Sequence, residues 1–334
     1  MYELSQKARA VLRCAAALCL AVALCGASRA GAAEEAERML VPVGHTVGIK
    51  LFSRGVLVVK LTEGGCPAKS CGLKTGDVIL ECGGTVVTST EQFQSLLQAA
   101  ADGETELEVR RNGGSMTLSV SPEANEQGVY CIGAWVRDSM AGIGTMTYYD
   151  PETGEFGALG HGITDVDTAL LMPFSNGSIL PSTVKAVRRG EAGCAGELRG
   201  EFDLTQDLGQ LTANTECGVF GTLESAEFIA EDAIPIGQAV PGAATIRSNV
   251  EGDETKEYEI EILKVVSNAS DGRDLVICVT DAELLAQTGG IVQGMSGSPI
   301  LQNGKLVGAV THVLLNDPCK GYGISIETML AAVQ

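Results

Sequence analysis

Apolar and polar side chains alternate along much of the chain from about residue 128 onward, which is the period of a strand with one buried face. In 257–262, for example, glutamates alternate with Tyr and Ile. Two such stretches joined by a Pro-, Thr- and Gly-containing turn predict a hairpin between residues 144 and 159. Within this region no long helix is predicted before a weak helical pattern at 325–333. The pattern therefore predicts a mainly β domain over 128–334.

The preceding stretch, 38–122, mixes strand and helix patterns. An apolar run typical of a buried strand comes first. Ser89 then begins a capping box before apolar residues at helical spacing, and the Asn-Gly pair at 112–113 joins two alternating runs, a hairpin signal. The turn and strand at 74–80 resemble those of many bacterial PDZ modules. We therefore expect a PDZ domain ahead of the β domain.

PDZ domains bind a peptide by adding it as a strand between one of their own strands and a helix. The strand expected to receive the peptide is 47–51, which includes Val47, Gly48 and Ile49. The loop before it carries Gly44 and His45 and would hold a terminal carboxylate. The alternative is a PDZ domain that is used only for packing.

Residues 1–33 have the pattern of an export signal. Basic residues precede an apolar run over 14–27, and small residues follow it. The run is shorter than the roughly 20 residues of an ordinary membrane-spanning helix. The segment therefore predicts export, with the leader either cleaved or kept as an N-terminal membrane anchor.

Charge and composition exclude several classes of function. The 334 residues include 42 acidic and 23 basic ones, a formal net charge of −19, so nucleic acid is not an expected partner. Only three histidines occur and the 11 cysteines are scattered, so neither a metal site nor another cofactor is expected. Cys66 could pair with Cys71, and Cys194 with Cys217, but the spacing does not favour a disulfide framework.

The strongest chemical motif is Gly294-Met295-Ser296-Gly297-Ser298-Pro299, which precedes two apolar strands joined by Asn303-Gly304. Chymotrypsin-like proteases build their nucleophile turn this way. The glycine before the serine lets the N–H groups of Gly294 and Ser296 face one point and form an oxyanion hole. The alternative is a plain β-turn rich in glycine and serine.

A serine nucleophile needs a base, and His45, His161 and His312 are the candidates. His161 lies between glycines at the end of an apolar strand, where a substrate and a serine could both approach its ring. His312 is too near Ser296 in sequence for the usual arrangement, in which base and nucleophile come from different halves of the fold. We therefore predict His161 as the base.

The stretch from Thr288 through the serine motif to Pro318 resembles the stage IV sporulation protein B peptidases of endospore-forming bacteria. The segment from Gly144 to His161 resembles that family as well. The resemblance covers most of the chain, including the order anchor, PDZ module, peptidase. It implies a serine endopeptidase that acts outside the membrane as a developmental signal. We expect a PDZ domain followed by a chymotrypsin-like double β-barrel.

The acid that would orient the base is left open. The family pattern implies Asp281, which could orient the imidazole and stabilise its cation. The same residue could simply occupy the first turn of a short helix, because Thr280 and Glu283 form a capping box. Further candidates remain upstream of the serine: Asp165, Asp167, Asp203, Asp207 and Asp232.

The resemblance also implies the substrates: a membrane-anchored regulator of an intramembrane protease, in the space between the two membranes around a forming spore, and the chain itself. Two rival functions remain. One is a general quality-control protease with a PDZ domain, although in those proteins the PDZ domain normally follows the protease. The other is a PDZ scaffold whose protease fold is inactive.

Overall fold

The computed structural model describes residues 38–101, 103–266 and 272–333, and the predicted leader at 1–33 lies outside them. The strands are β1 Met39–Pro42, β2 Thr46–Leu61, β3 Val78–Cys82, β4 Thr85–Val86, β5 Thr105–Arg111, β6 Gly114–Val120, β7 Glu123–Ala124, β8 Tyr130–Cys131, β9 Ala134–Tyr149, β10 Glu155–Ala158, β11 Phe174–Arg188, β12 Glu197–Phe202, β13 Gly209–Thr215, β14 Gly218–Leu223, β15 Ile234–Pro235, β16 Gly242–Glu251, β17 Glu254–Val265, β18 Leu275–Val279, β19 Pro299–Gln302, β20 Lys305–Val313 and β21 Lys320–Ser325. The helices are α1 Pro67–Ser70, α2 Thr90–Ala99, α3 Ala282–Thr288 and α4 Ile326–Ala331.

The first barrel contains six strands in the order β9, β10, β14, β13, β11 and β2, and a pairing between β2 and β9 closes the circuit. The hairpin predicted between residues 144 and 159 is formed by β9 and β10. Phe156, Ile179 and Val219 are fully buried inside this barrel. Burial of these large apolar side chains supplies the main driving force for closing the barrel.

The second barrel is closed by β16, β17, β18, β21, β20 and β19. The alternation predicted at 257–262 is confirmed: Tyr258, Ile260 and Ile262 are buried, and the glutamates between them are exposed. Asn303 and Gly304, between β19 and β20, both have positive φ, as the predicted type I′ turn requires. The weak helical pattern at the C-terminus corresponds to α4.

The PDZ domain lies on the same long strands as the first barrel. In the second half of β2, Val56 pairs with Ile79 of β3 and Leu57 with Arg137 of β9, while β5 and β6 extend the sheet. Helices α1 and α2 cover it, and Phe93 and Leu97 of α2 are buried in its core. Strands β2 and β9 therefore run from one domain into the other.

This shared pair of strands corrects the predicted PDZ boundaries of 38–122. Residues 46–53 belong to the first barrel, where they pair with β9 and β11, and not to the PDZ sheet. In the PDZ domain, β2 instead pairs with residues 134–137, which lie beyond the predicted limit. The register of β2 shifts between Phe52 and Leu57, and this irregularity marks the passage between the two domains.

The eight described cysteines are all free thiols, including Cys66, Cys71, Cys194 and Cys217. Burial raises the pKa of the Cys82 thiol, and the neighbouring Thr105 hydroxyl opposes that shift. Cys82 therefore behaves as a small apolar residue of the PDZ core. Of the helices that the structure describes, none has the length and apolar character needed to cross a membrane.

Candidate active site

The serine motif forms a tight turn between α3 and β19, at the place where the two barrels meet. Gly294 and Gly297 have φ of +99° and +97°, a backbone conformation that side chains disfavour. A Cβ atom on Gly297 would collide with the backbone of Thr145 and Leu159 in the first barrel. Glycine is therefore required at 297, because the turn of one barrel lies directly against the backbone of the other.

The amides predicted to form the oxyanion hole, those of Gly294 and Ser296, have no hydrogen-bond partner among the described residues. The preceding carbonyls are both engaged: the Gln293 oxygen accepts from Leu198 N at 2.8 Å and the Met295 oxygen from Ser298 N at 3.0 Å. In a trans peptide the N–H points opposite to the C=O. The two amides are therefore directed away from these partners and are available to an oxyanion.

Ser296 and Ser298 have different surroundings. The Ser296 hydroxyl lies at the cleft and donates to the Thr311 carbonyl at 2.7 Å. Ser298 is fully buried and donates to Ser248 Oγ at 3.0 Å. Burial excludes a substrate from Ser298, so Ser296 is the serine of this motif that can attack one.

His161 reaches the same cleft from the first barrel. Leu159 and Gly160, just after β10, both have positive φ, and the half-buried imidazole that follows them lines the same cleft as Ser296. His161 Nδ1 lies 2.9 Å from the Gly162 carbonyl oxygen. Because a carbonyl only accepts, Nδ1 carries the proton and Nε2 is left as the basic atom.

His312, on β20, lies beside His161, with 5.0 Å between the ring centroids and 38° between the ring planes. The sequence does not predict this contact, because His312 lies close to Ser296 along the chain. The Thr311 carbonyl, which accepts from Ser296 Oγ, belongs to the residue before His312, so this strand brings His312 to the serine. Both histidines therefore line one cleft with the serine.

The cleft has a volume of about 400 Å³ and receives residues from both barrels. Apart from the two imidazoles, the side chains that line it are uncharged, and most are apolar. A mostly apolar cavity with a few converging polar groups is typical of a ligand-binding site. The lining residues are Ile49, Met140, Ala141, Gly142, Ile143, Leu159, His161, Gly162, Ile163, Thr164, Ile291, Val292, Gln293, Gly294, Ser296, Thr311, His312 and Val313.

Asp281 does not line this cleft; it is the N-cap residue of α3. Its carboxylate accepts from Leu284 N at 2.8 Å and from Glu259 N at 3.4 Å. The predicted capping box placed the cap one residue earlier, at Thr280. Since α3 leads directly into the serine turn, this cap helps to fix where the turn begins.

Among the described residues, no carboxylate contacts the His161 ring, whose Nδ1 partner is a backbone carbonyl. The buried Asp165 carboxylate forms an ion pair with Arg137 and accepts from Thr168, and Asp167 also binds Arg137. Despite the cost of burial, Thr168 and Arg137 together hold the Asp165 pKa below its ordinary value. Asp203 accepts from Thr205, and Asp207 accepts from Gln210. None of Asp203, Asp207 and Asp232 lines the cleft.

The residues predicted to bind a peptide in the PDZ domain lie elsewhere. Val47, Gly48 and Ile49 pair with β9 on one side and with β11 on the other, so no edge is free to receive a further strand. Gly44 has φ +74° and packs against Arg247. The ring of His45 packs against that of Phe228, with 6.1 Å between the ring centroids. The prediction that this segment is the PDZ peptide site is therefore wrong, because both strand edges are occupied.

Comparison with known families decides the class of this site. The model of the SpoIVB peptidase S55 family matches residues 128–330, more than half of the chain and including His161, Asp281 and Ser296. The chain belongs to the SpoIVB peptidase S55 family. A PDZ domain model matches residues 58–111. This S55 protein is thus a serine peptidase, a peptide hydrolase, that carries a PDZ domain, and the predicted family and mainly β protease fold are confirmed.

Other similarities to known proteins are partial. A putative zinc metalloprotease of Clostridium perfringens is 34% identical over 67 residues, which are 20% of each chain. A putative zinc metalloprotease of Lactococcus lactis is 34% identical over 108 residues, which are 32% of this chain and 24% of that one. The chain thus spans about a quarter or less of these relatives. A PDZ domain from Listeria monocytogenes matches 25% of this chain and 87% of that one, at 19% identity and a TM-score of 0.23. The active form of the Rv3671c protease from M. tuberculosis matches 58% of this chain and 73% of that one, at 12% identity and a TM-score of 0.32.

The environment of His161 predicts the pH dependence of the S55 peptidase. Burial lowers the pKa of His161 and outweighs the opposing effect of its hydrogen bond to Gly162. A general base must be neutral, so activity is present above this pKa and is lost as the pH falls through it. We expect the acid limb of the kcat/KM profile below about pH 6.5, the ordinary histidine value. An acid limb at or above pH 7 would contradict this assignment.

Asp281 gives a second prediction for the peptidase. Asp281→Ala removes the cap of α3 and is expected to cost about 1 kcal/mol of unfolding free energy. Asp281→Asn keeps a capping oxygen and is expected to cost less than about 0.5 kcal/mol and to leave kcat/KM within about threefold of wild type. Thermal midpoints and cleavage rates measured on the same preparations test both. A rate loss above about 1000-fold in Asp281→Asn, with an unchanged midpoint, would instead assign this carboxylate to His161.

Proposed function

We propose that this S55 peptidase is an exported endopeptidase that acts as a sporulation signal by cutting a membrane-anchored regulator of an intramembrane protease, and that it also cuts its own chain. The observation that carries the catalytic part is the cleft that holds Ser296, His161 and two unengaged amides. The regulator and the compartment rest on the family to which the chain belongs.

In the proposed reaction, Ser296 Oγ leaves the Thr311 carbonyl and attacks the carbonyl carbon of the scissile peptide. His161 Nε2 takes the hydroxyl proton and returns it to the leaving amine. The amides of Gly294 and Ser296 hold the oxyanion of the tetrahedral intermediate. Water then attacks the acyl-enzyme with His161 as the base again, which releases the new carboxylate and restores the serine.

The Nδ1–H bond to Gly162 supports this mechanism, because it fixes the tautomer in which Nε2 accepts the proton. The contact with the His312 ring limits rotation of the imidazole. A backbone carbonyl stabilises the imidazolium less than a carboxylate would. We therefore expect slow turnover in this state, which suits a signalling protease more than a degradative one.

The two rival functions make different predictions. A general quality-control protease would degrade unfolded casein to many small products, whereas a signalling protease would cut the regulator at one site and leave casein largely intact. An inactive PDZ scaffold would cut neither substrate. The cleft that Ser296 and His161 share with two unengaged amides supports an active site over a scaffold.

The direct test is reconstitution with the regulator from the same genome. The full chain, wild type or Ser296→Ala, is incubated with vesicles that contain the regulator together with its intramembrane protease. We expect the wild type alone to produce one discrete regulator fragment. Degradation of both the regulator and casein without a preferred site would instead support quality control.

Self-cleavage is tested separately. The full chain is produced without export, so that no signal peptidase acts on it, and its N-terminus is mapped by mass spectrometry. We expect a shortened chain for the wild type and the intact chain for Ser296→Ala. Added wild-type enzyme should shorten Ser296→Ala in trans, and an intact wild-type chain would remove self-cleavage from the proposal.

A further inference from the structure

Strand β9 has one long edge without a strand partner. Residues 134–145 pair with β2 on one side, and the other partners of β9, β10 and β1, begin only at Met146 and Tyr148. In the described part of the structure, no strand pairs with the opposite edge over 134–143. All of these residues are at least partly exposed, so the unpaired backbone groups are accessible.

One end of this edge lies in the active site. Residues 140–143 line the cleft together with Ser296 and His161. The next residues are fixed to the serine turn: Thr145 N donates to the Ser296 carbonyl at 3.0 Å, and Thr145 Oγ1 donates to the Gly294 carbonyl at 2.7 Å. The free edge of β9 therefore leads directly to the nucleophile.

The other end of the edge lies in the PDZ domain beside α2. Thr90, at the start of the helix, donates to the Asp138 carboxylate at 2.7 Å. Gln94, one turn later, donates to the Tyr130 carbonyl at 2.8 Å. Helix α2 thus runs antiparallel to residues 130–138. The space between a helix and the free edge of a strand is where a PDZ domain receives a peptide.

Just before β9, two adjacent amides are unengaged. The carbonyl of Ile132 accepts from Ala68 N at 2.8 Å and that of Gly133 from Thr62 N at 2.9 Å, yet the N–H groups of Ile132 and Gly133 have no partner among the described residues. Gly133 has φ +74°, and this bend separates β8 from β9. Successive free amides at such a bend form a concavity that binds an anion such as a terminal carboxylate.

We propose that the free edge of β9 is a continuous substrate track that selects protein C-termini and measures the distance to the cut. This inference rests on the proposed peptidase function. The C-terminal segment of the substrate adds to residues 134–143 as an antiparallel strand. Its carboxylate binds the Ile132 and Gly133 amides, and its scissile bond reaches Ser296.

The length of the track sets the length of the released fragment. A strand antiparallel to β9 runs from the cleft towards residue 134, so the PDZ domain holds the part of the substrate that follows the scissile bond. At about 3.4 Å per residue, the edge over 134–143 accommodates about ten substrate residues. From a substrate whose C-terminus is bound in this way, the enzyme therefore removes a peptide of about eight to twelve residues.

Two side-chain networks lie along this track and leave its backbone free. Arg137 is held by Asp165 and Asp167, and Asp138 is held by Thr90. Trp135, 65% exposed, is the largest apolar side chain near the carboxylate end. It offers a contact for an apolar residue close to the substrate C-terminus.

The test uses two pools of randomised 24-residue peptides, identical except that one ends in a free carboxylate and the other in an amide. Each pool is digested with the full-length peptidase, with Ser296→Ala as the blank, and products are sequenced by mass spectrometry. We expect the free-acid pool to release C-terminal fragments concentrated at about eight to twelve residues. The amide should lower these cuts about tenfold or more, because it removes the charge that the two amides bind.

A second measurement tests the strand pairing itself. One efficiently cut peptide is prepared with single N-methyl groups at successive positions after the scissile bond. Because alternate N–H groups of an added strand face its partner, kcat/KM should fall at every second position and stay near the unmodified value between them. Loss at every position or at none would overturn the strand-addition model.

The outcomes separate this inference from the proposed function. Cutting at scattered distances from the C-terminus, or cutting that is equal for acid and amide, would overturn the track while leaving the peptidase intact. A preferred distance below about six or above about fourteen residues would overturn it too. If the wild type cuts no peptide in either pool, neither the track nor the proposed endopeptidase activity survives.

Discussion

Replacing Ser296 by alanine is expected to lower kcat/KM by at least about 10,000-fold while the protein stays folded. The hydroxyl is the only part of the motif that can form the acyl-enzyme, and removing such a nucleophile leaves only the contributions of binding and of the oxyanion hole. Alanine fits the same backbone, and the lost bond to the Thr311 carbonyl is worth about 1 kcal/mol. Thermal unfolding and peptide cleavage measured on one preparation separate the two effects.

Ser298→Ala is the matched control for this variant. Ser298 lies two residues away in the same turn, but it is buried and binds Ser248. We expect Ser298→Ala to lose about 1 kcal/mol of stability and to keep its cleavage activity within about tenfold. If Ser296→Ala still cleaved the peptide and Ser298→Ala did not, the nucleophile would be Ser298.

The second large effect is expected for His161→Ala. Without the base, Ser296 must attack as an unassisted alcohol, and kcat/KM should fall by at least about 1000-fold. The double variant His161→Ala with Ser296→Ala should be no worse than Ser296→Ala alone, because the two residues act as a unit and their effects are not additive. Product accumulation over long incubations at high enzyme concentration compares the three variants.

His312→Ala is the control for the base, because its ring lies in the same cleft at 5.0 Å from His161. We expect a loss of about tenfold, since His312 only restricts the orientation of the catalytic ring. A much larger loss in His312→Ala than in His161→Ala would exchange the roles of the two histidines.

The parts of the fold that sequence predicted well depend on local chemistry. The Asn303-Gly304 turn needs two positive φ values, and few other residue pairs supply them. The serine turn was recognisable because Gly294 and Gly297 occupy backbone conformations that a side chain disfavours. In these cases the residue type itself carries the geometry.

The PDZ boundary could not be predicted because it depends on strand partners. Residues 46–53 are as compatible with a PDZ strand as with a barrel strand, and nothing in their alternation identifies β9 and β11 as their neighbours. The same limit hid the PDZ role of 134–137, which the alternation placed in the β domain. Pairing between strands distant in sequence is decided by tertiary contacts.

Within the candidate site, the sequence led to Ser296 and His161 but not to their surroundings. The contact between His161 and His312 arises only when β10 and β20 from different barrels meet at the cleft. Asp281 has two roles compatible with its sequence context, and the structure shows the cap on α3. Spacing along the chain carries little information about which carboxylate meets an imidazole across a domain interface.

Labelling with a fluorophosphonate, followed by mapping of the adduct by mass spectrometry, tests the central claim most directly. The reagent reacts with a serine only where a base and an oxyanion hole activate it. We predict one adduct on Ser296 in the wild type, a strongly reduced amount in His161→Ala and none in Ser296→Ala. A folded wild-type protein that forms no adduct, or forms it on another serine, would contradict the account.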